Sequence, residues 1–244
     1  MLKKKDVILF NYKKIRFKIF NTNFGVIDVS KLIKLKTELE LFNFYIKYKN
    51  NYKTFADVGA NVGIHSLLVS RIFKKVYSFE PLQDHFDILK KNILLNRFRN
   101  IKIFKKAISK NNKDQVLNIL TKNTTATHLN IATRSKYGMV LKKVVKCISI
   151  NKINSKIDLI KLDVEGLESE LIKKINFKKN FSDFILEVHN QKNARDIFKK
   201  LSKSSNLAIY KLKNSKLKLI NKFKDMPSAT KDGSLFITKS NFKI

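Results

Sequence analysis

The sequence predicts an α/β fold in which a mostly parallel sheet is covered by helices on both faces. From residue 54 onward, short apolar segments of strand length alternate with amphipathic segments of helical length. The connections between these segments are short, as in the repeated strand–helix units that build parallel sheets. Of the 244 residues, 43% are hydrophobic, which is enough to build the core of one domain with a short N-terminal addition.

Residues 1–53 are predicted to form an N-terminal extension of two strands and one helix. Strands are expected within residues 5–29, where apolar and basic residues alternate around Phe17. Ser30 is the predicted N-cap of a helix that continues to about Tyr48. The expected buried face of this helix carries Leu32, Leu35, Leu39, Phe42 and Ile46.

Residues 54–244 are predicted to form the main domain, with an insertion at about residues 109–153. The predicted strands of the alternating part span 54–58, 76–79, 101–104, 157–163 and 184–188. The predicted helices span 62–73, 83–96, 167–175 and about 191–203. Three closing strands are expected at 207–212, 217–220 and 235–238. Strand-like segments at 116–120 and 144–150 predict a hairpin-like insertion, and insertions at strand ends commonly shape substrate sites.

The chain is strongly basic, with 52 Lys and Arg residues against 19 Asp and Glu residues and a formal net charge of +33. Only six of the basic residues are arginine, whereas nucleic-acid sites usually favour arginine, whose planar fork binds phosphate and guanine in a bidentate manner. The lysines are spread over the whole chain, and asparagine and isoleucine are also abundant. We therefore favour an AT-rich genome as the origin of the charge. A basic face for nucleic acid, a membrane or an anionic glycan is the alternative.

The composition predicts a soluble protein of the reducing cytoplasm. Cys147 is the only cysteine, which excludes an internal disulfide framework and a cysteine-based zinc site. No apolar run approaches about 18 residues, the length of a membrane-spanning helix. The apolar stretch 7–10 that follows the basic start is too short for a signal peptide.

The first candidate site is the segment Asp57-Val-Gly-Ala-Asn-Val-Gly63, which follows an apolar strand and opens a helix. In this position Gly59 allows a tight turn and a close approach to a ligand, and Asn61 can adopt a positive φ angle. The glycine spacing differs from the dinucleotide pattern G-x-G-x-x-G, and the acidic Asp57 suits a cationic ligand better than a phosphate. A purely structural strand-to-helix turn is the alternative for this segment taken alone.

A second carboxylate stands at the end of the next predicted strand, in Phe79-Glu80-Pro81. It follows Gly59 by 21 residues, the spacing at which an acidic residue accepts hydrogen bonds from ribose hydroxyls in nucleotide-binding folds. A solvated loop residue is the alternative for an isolated glutamate, but the glycine loop before it favours the ribose role.

The third candidate site combines Lys161 and Asp163 at the end of one predicted strand with Glu187 and His189 at the end of the next. Side chains alternate along a strand, so each pair shares one face, and the carboxyl ends of parallel strands meet at one edge of the sheet. A lysine inside a central parallel strand must be paired or functional, because burying a lone charge is costly. A structural ion pair of Lys161 with Glu187 or Asp163 is the alternative.

Four spaced motifs together resemble the FkbM family of S-adenosylmethionine-dependent methyltransferases. They are Asp57-Val-Gly-Ala-Asn-Val-Gly-Ile-His, Phe-Glu80-Pro, Ile157-Asp-Leu-Ile-Lys-Leu-Asp-Val-Glu-Gly-Leu-Glu and Ile185-Leu-Glu-Val-His189. The resemblance covers about residues 54–190 and implies the class I (Rossmann-like) methyltransferase fold, with a mostly parallel, seven-stranded central sheet. It also implies O-methylation of a hydroxyl on a sugar, glycan or other small-molecule acceptor. The segment 149–152, at the expected edge of the acceptor site, departs from the acidic pattern that relatives carry there.

The resemblance further implies roles for residues of these candidate sites. The methionine part of S-adenosylmethionine would lie against Asp57, Gly59 and neighbouring backbone, the ribose against Glu80, and the adenine near residues 107–109. Asp163 would face the sulfonium and the acceptor. The implied cofactor-binding residues are Asp57, Gly59, Ala60, Asn61, Gly63, Glu80 and Ala107.

The residues expected to take part in catalysis are Asp163, His189, Lys161 and Glu187. A sugar hydroxyl is a weak nucleophile and benefits from a general base, for which Asp163 and His189 are the first candidates and Glu165 and Glu187 the next. These carboxylates and the histidine are also a conceivable divalent-cation site, but no two-ligand helical spacing supports one, and no metal is predicted. His65 is expected to pack near the cofactor or over the start of its helix.

Two other functions stay open on the sequence alone. An RNA ribose O-methyltransferase would account for the net charge, and a non-catalytic scaffold would keep the fold without the reaction. The combination of Asp57 and Glu80 argues against the scaffold. The expected partner is a small-molecule or glycan acceptor, with an anionic acceptor favoured by the charge and nucleic acid less favoured. The acceptor site is expected to involve residues 1–53 and 109–153.

Overall fold

The computed structural model describes residues 6–23, 28–120, 124 and 139–243, which form an α/β structure. The strands are β1 (Val7–Tyr12), β2 (Ile15–Phe20), β3 (Thr54–Val58), β4 (Lys75–Phe79), β5 (Ile101–Phe104), β6 (Ala107–Ser109), β7 (Gln115–Leu120), β8 (Val140–Val145), β9 (Cys147–Ser149), β10 (Leu159–Leu162), β11 (Asp183–Leu186), β12 (Leu207–Lys213), β13 (Lys216–Leu219) and β14 (Ser234–Lys239). The α-helices are α1 (Val29–Leu32), α2 (Lys36–Lys47), α3 (Ile64–Ser70), α4 (Gln83–Leu95), α5 (Glu168–Lys174) and α6 (Gln191–Leu201). None of the helices in the described ranges is long and apolar enough to cross a membrane.

The central sheet has eight strands in the order β13-β12-β14-β11-β10-β3-β4-β5. The five strands from β11 to β5 are parallel to one another. β14 lies antiparallel between β11 and β12, and β13 pairs antiparallel with β12 at the edge. The predicted α/β class is confirmed, but the expected seven strands are one too few, because β13 folds back on β12 and extends the sheet.

The strand order reverses at β3, and this reversal positions the functional edge of the sheet. β3 pairs with β4 on one side and with β10 on the other. In open α/β sheets, ligands bind in the crevice beyond the carboxyl ends of the strands at such a reversal. The residues that directly follow Val58, Phe79 and Leu162 therefore converge on one crevice.

The N-terminal extension differs in detail from its prediction. Asp28, rather than Ser30, caps the first helix, since its side chain accepts a hydrogen bond from Lys31 N. The predicted single helix is divided into α1 and α2, because Leu35 has an extended backbone conformation just before α2 begins. The division rotates the buried face and leaves Leu35 41% exposed. The buried residues of α2 are Glu40, Leu41, Phe42, Phe44 and Tyr45.

Two hydrophobic clusters cover the two faces of the central sheet. The first contains Phe17 of the β1–β2 hairpin and Phe42 of α2 together with Phe55 of β3. The second packs Ile172 of α5 in the same cluster as Ile160 of β10. Each buried side chain of this size contributes about 1.5–3 kcal/mol relative to an exposed one. The extension thus shares its core with the sheet.

The predicted insertion contains two small two-stranded sheets. β7 and β8 pair antiparallel, as expected for a hairpin-like element, and β6 and β9 pair parallel. The predicted strand 144–150 is divided, because Lys146 lies between β8 and β9 and its carbonyl accepts a hydrogen bond from Ala107 N. Most of the polar middle of the insertion lies outside the described residues.

Asn92 on α4 connects three parts of the structure through one buried side chain. Its Oδ1 accepts a hydrogen bond of 2.9 Å from Phe20 N, at the end of β2. Its Nδ2 donates a hydrogen bond of 2.8 Å to Val62 O, in the loop before α3. Asn92 therefore holds the N-terminal hairpin and the loop after β3 in a fixed position relative to α4.

We expect Asn92→Ala to destabilise the protein by about 2–6 kcal/mol, because it removes the partners of two backbone groups at about 1–3 kcal/mol each. Leu94→Ala on the same helix is the matched control, since Leu94 is 67% exposed and surface changes usually stay within about 0.5 kcal/mol. Urea denaturation measures the free energy of unfolding of both variants. Equal stability of the two would contradict the role of Asn92.

Candidate functional site

The loop between β3 and α3 forms one wall of the crevice. Gly59, Asn61 and Gly63 have φ angles of 80°, 51° and 95°, in the left-handed region. Gly59 N and Ala60 N both donate hydrogen bonds of 3.0 Å to Phe79 O, which joins the loop to the end of β4. A Cβ atom on Gly59 would collide with the backbone oxygen of Asp163. The loop can therefore lie this close to the end of β10 only with glycine at this position.

Asp57 lies at the base of this loop with 1% of its surface exposed. Its Oδ2 accepts a hydrogen bond of 2.6 Å from Ser66 Oγ, and that hydroxyl also lies 2.7 Å from Ser78 Oγ. Asp57 Oδ1 and Asn61 Oδ1 are buried acceptors that have no hydrogen bond within the described part of the chain. The loop thus presents two acceptors that a ligand with N–H or O–H donors could satisfy.

Glu80 connects the end of β4 to the same loop. Its Oε2 accepts a hydrogen bond of 2.8 Å from Asn61 N, and its Oε1 accepts one of 2.9 Å from Leu82 N. Burial raises the pKa of Glu80 to about 7, although both backbone hydrogen bonds act in the opposite direction. Ala107 on β6 is buried in the same cluster as Leu82, so the predicted adenine position adjoins the Glu80 loop.

Lys161 is buried at the end of β10 and is paired with two carboxylates. Its Nζ lies 3.1 Å from Asp163 Oδ2 and 3.9 Å from Asp57 Oδ1. Burial lowers the pKa of Lys161, but the charges of Asp163 and Asp57 outweigh burial and raise the pKa above its usual value. Of the partners proposed from the sequence, Asp163 is in contact and Glu187 forms no ion pair with Lys161 in the described residues.

His189, which follows β11, faces three carboxylates. Its Nδ1 lies 3.1 Å from Glu168 Oε1, and its Nε2 lies 3.4 Å from Glu165 Oε2 and 3.8 Å from Asp163 Oδ1. Burial lowers the pKa of His189, but contact with Glu168 and the charges of all three carboxylates outweigh it and raise the pKa to about 10. His189 is therefore positively charged at neutral pH in the structure as it stands.

The carboxyl groups of Asp163, Glu165 and Glu187 have different pKa values. Burial raises the pKa of Asp163, but the charge of Lys161 outweighs burial and lowers the pKa below its usual value. This carboxyl is therefore ionised at neutral pH. Burial and the charge of Asp163 raise the pKa of Glu165 to about 7 and that of Glu187 to about 8. Glu165 also has a positive φ of 50°, an unfavourable conformation of the kind that occurs at functional sites.

Glu168 was not predicted from the sequence, although it organises this cluster. It is completely buried at the start of α5 and accepts hydrogen bonds from Val164 N, Gly166 N and Asn193 Nδ2. The signal for it is the second glutamate of the motif Val-Glu-Gly-Leu-Glu, whose position in the first helical turn lets a carboxylate reach the preceding backbone N–H groups. Sequence reasoning assigned this residue only to the start of a helix.

His65 joins α3 to the N-terminal extension. Its Nε2 lies 2.7 Å from Glu38 Oε2, and its Nδ1 lies 3.2 Å from the hydroxyl of Tyr45. Glu38 acts on the crevice, because its charge helps to raise the pKa of Glu187. Glu38 is the second functional residue absent from the sequence prediction, since nothing in the pattern of α2 relates it to a strand end.

The crevice therefore combines two arrangements at the ends of neighbouring strands. The loop after β3 and Glu80 offer hydrogen-bond acceptors and a carboxylate, which suit a cationic ligand with sugar hydroxyls. The ends of β10 and β11 bring together a buried lysine, a histidine and several carboxylates, which suit proton transfer or cation binding.

The family comparison covers more than half of the chain. Residues 57–212 match the family model described as the methyltransferase FkbM domain. No protein of curated function matches the sequence.

Three solved methyltransferases align with this chain at low sequence identity. The 16S rRNA N2 G1207 methyltransferase of Thermus thermophilus, in complex with AdoMet and guanosine, aligns with a TM-score of 0.52 at 10% identity, over 96% of this chain and 50% of its own. An S-adenosylmethionine-dependent O-methyltransferase of Thermotoga maritima aligns with a TM-score of 0.47 at 12% identity, over 100% and 96% of the two chains. The ribosomal protein L11 methylase of Lactobacillus delbrueckii subsp. bulgaricus aligns with a TM-score of 0.47 at 15% identity, over 83% of this chain and 78% of its own. The first of these likenesses supports the fold, and none of them identifies a substrate.

Gly59 and Gly166 offer a matched pair of substitutions, because both have a positive φ but only Gly59 has a close neighbour at the Cβ position. We expect Gly166→Ala to cost about 1–3 kcal/mol, the usual penalty of this backbone region. Gly59→Ala should cost clearly more, because the methyl group must also push the loop away from β10. Denaturation midpoints measure the difference. A Gly59→Ala variant as stable as Gly166→Ala would show that the loop does not need this contact.

Proposed function

We propose that this chain, which belongs to the FkbM methyltransferase family, transfers a methyl group from S-adenosylmethionine to a hydroxyl oxygen of a sugar, glycan or other small acceptor. S-adenosylmethionine-dependent methyl transfer follows from the family. The part that we propose is that the acceptor atom is a hydroxyl oxygen. The observation that carries it is the group of ionisable side chains around Asp163. A hydroxyl needs such a group, because it is a weak nucleophile until a base removes its proton.

The loop after β3 fits the methionine part of the cofactor. Asp57 Oδ1 and Asn61 Oδ1 are buried without hydrogen bonds in the described chain, and the ammonium group of the cofactor is a donor that could satisfy such acceptors. Gly59, Ala60 and Gly63 would line the same part of the site through their backbone. Bound S-adenosylmethionine supplies an electrophilic methyl group on a positively charged sulfonium.

Glu80 and Ala107 would bind the nucleoside part of the cofactor. The Glu80 carboxylate is fixed by Asn61 N and Leu82 N, and each of its oxygens keeps a further lone pair for a ribose hydroxyl. Ala107 is a small residue beside Leu82, which suits the flat face of an adenine.

The acceptor would bind at the ends of β10 and β11. Asp163, kept ionised by Lys161, would accept a hydrogen bond from the acceptor hydroxyl, and Glu187 and His189 would hold the acceptor from the side of β11. His189 was a first candidate for the general base, but its positive charge leaves no lone pair at neutral pH. Asp163, the other first candidate, has a pKa below its usual value and is therefore a weak base. The base assignment moves to Glu165, whose pKa is about 7 and whose side chain contacts His189 and is 30% exposed.

The net charge of +33 favours an anionic acceptor within this proposal, such as a phosphorylated or acidic sugar. The same charge is the observation behind the second candidate, an RNA ribose O-methyltransferase. We place either activity in the cytoplasm, since the single free cysteine suits a reducing compartment.

Labelled S-adenosylmethionine and a fractionated lysate test the class of acceptor. We expect label in the glycan or small-molecule fraction, because the crevice provides proton-accepting groups at the position of a hydroxyl acceptor. Asp57→Ala, which removes a cofactor-binding carboxylate, should abolish the transfer and serves as the negative control. Label in the RNA fraction alone, with binding that weakens steeply with salt, would replace the proposal by the second candidate. Label in no fraction would favour a scaffold.

The role of Glu80 predicts how cofactor affinity depends on pH. Its pKa of about 7 means that the carboxylate gains a proton as the pH falls through neutrality, so affinity for S-adenosylmethionine should weaken from pH 8 to pH 6. Glu80→Gln should weaken binding at pH 8 by about tenfold to hundredfold, the value of hydrogen bonds to a charged group, and should flatten the pH dependence. Calorimetric titration measures both.

Asp84→Asn is the matched control for this measurement, because Asp84 is an exposed carboxylate at the start of α4. The affinity of the Asp84→Asn variant for S-adenosylmethionine, and the pH dependence of that affinity, should equal those of the wild type. Wild-type affinity in Glu80→Gln at both pH values would rule out the ribose role.

A further inference from the structure

We propose that Asp163, Glu187 and His189 form a binding site for a divalent cation at the ends of β10 and β11. This inference builds on the proposed function, because the same side chains line the expected acceptor position. It departs from the expectation from sequence that no metal is bound. The three residues each offer one ligand atom, and these atoms all lie within 4.8 Å of one another.

The distances between the ligand atoms are close to those of a shared ion. Metal–ligand distances of about 2.0–2.2 Å place neighbouring ligand atoms about 3–4 Å apart. Asp163 Oδ1 already lies 3.8 Å from His189 Nε2. The three ligand atoms, all within 4.8 Å of one another, are therefore only slightly farther apart than the ligands of one shared ion.

The orientation of His189 is the second, independent observation. Histidines that bind metals almost always have their other ring nitrogen held by a carboxylate or a carbonyl group. Glu168 Oε1 lies 3.1 Å from His189 Nδ1, and Glu168 itself is completely buried and fixed by backbone N–H groups and Asn193. Glu168 thus lies on the Nδ1 side of the ring, and Nε2 is left facing Glu165 at 3.4 Å and Asp163 at 3.8 Å, on the side where a cation would bind.

The two oxygens of Asp163 have separate partners. Lys161 Nζ lies 3.1 Å from Oδ2, whereas Oδ1 lies on the side of His189. The lysine therefore does not occupy the oxygen that would bind the cation. The pairing of Leu162 with Leu186 places the residues after β10 and β11 side by side, so the backbone supports this arrangement.

The donor set indicates the type of ion. Two carboxylates and one imidazole suit a divalent ion that accepts both oxygen and nitrogen ligands, such as Mn²⁺, better than an ion that needs thiolates. Binding would replace the proton on His189 Nε2, because a metal-bound imidazole must be neutral. An ion at this position would hold the acceptor hydroxyl and lower its pKa, so that Glu165 could remove the proton more easily.

Mn²⁺ binding to the untagged, chelator-treated protein tests the site, with electron paramagnetic resonance as the measure of free Mn²⁺. We expect one bound ion per chain. Glu187→Gln and His189→Gln should each weaken binding by at least about tenfold, since each removes a direct ligand. Glu170→Gln on α5, which removes a half-exposed carboxylate paired with Lys110, should leave Mn²⁺ affinity unchanged.

The outcomes separate this inference from the proposed function. No Mn²⁺ binding by the wild type, or undiminished binding in both ligand variants, would overturn the cation site. Calorimetry with S-adenosylmethionine on the same samples reports on the cofactor alone. Cofactor binding without Mn²⁺ binding refutes only the cation site, because the proposed methyl transfer requires the cofactor and not the ion. Mn²⁺ binding that is lost in both ligand variants supports the site even where the acceptor proves not to be a hydroxyl compound.

Discussion

The buried ammonium group of Lys161 is the interaction on which the rest of the site depends. It lies between Asp57 of β3 and Asp163 beyond β10, so it holds together two carboxylates that would otherwise repel each other. An uncompensated charge in this position would cost several kcal/mol, because removing one partner of a buried ion pair is strongly destabilising. The close contact between Gly59 and the backbone of Asp163 adds a steric constraint to the same junction. Charge and packing together thus determine how near the cofactor loop and the acceptor residues lie.

A second layer of residues tunes the groups that this junction positions. Glu168 lies 3.1 Å from His189 Nδ1 and helps to keep this histidine charged. Glu38 on α2 contacts His65, and its charge helps to raise the pKa of Glu187 in the crevice. Neither carboxylate needs to touch a substrate to act, because both change the ionisation of residues that face the crevice. The helix that carries Glu38 is packed against the sheet, because the extension and the sheet share one hydrophobic cluster. Such additions are the usual way in which one fold acquires different acceptors.

The residues at strand ends were predictable from the sequence, whereas the supporting residues were not. Asp57 stands near the end of an apolar strand, and Glu80 and Asp163 stand directly after one. Parallel strands bring such positions to one edge whatever the details of packing. Glu38 and His65 meet only because α2 packs on α3, a tertiary contact that no local pattern encodes. The same limit applies to the start of the first helix. Ser30 and Asp28 are both good caps by type, and only the structure shows that Asp28 accepts the hydrogen bond from Lys31 N. The identity of the strands was therefore clearer than the way in which the extension covers them.

The distribution of charge constrains how an anionic acceptor would bind. Among the lysines and arginines of the described part of the chain, Lys161 alone is buried, and the others are partly or fully exposed at the surface. The surface therefore attracts anions over a distance of about 10 Å, whereas the crevice itself is lined by carboxylates and would repel a phosphate or an acid group. An acceptor drawn in by the surface must keep its anionic group outside the crevice and insert only its hydroxyl. A cation between Asp163, Glu187 and His189 would weaken this repulsion, so the occupancy of that site would also decide how deeply an acidic sugar can enter.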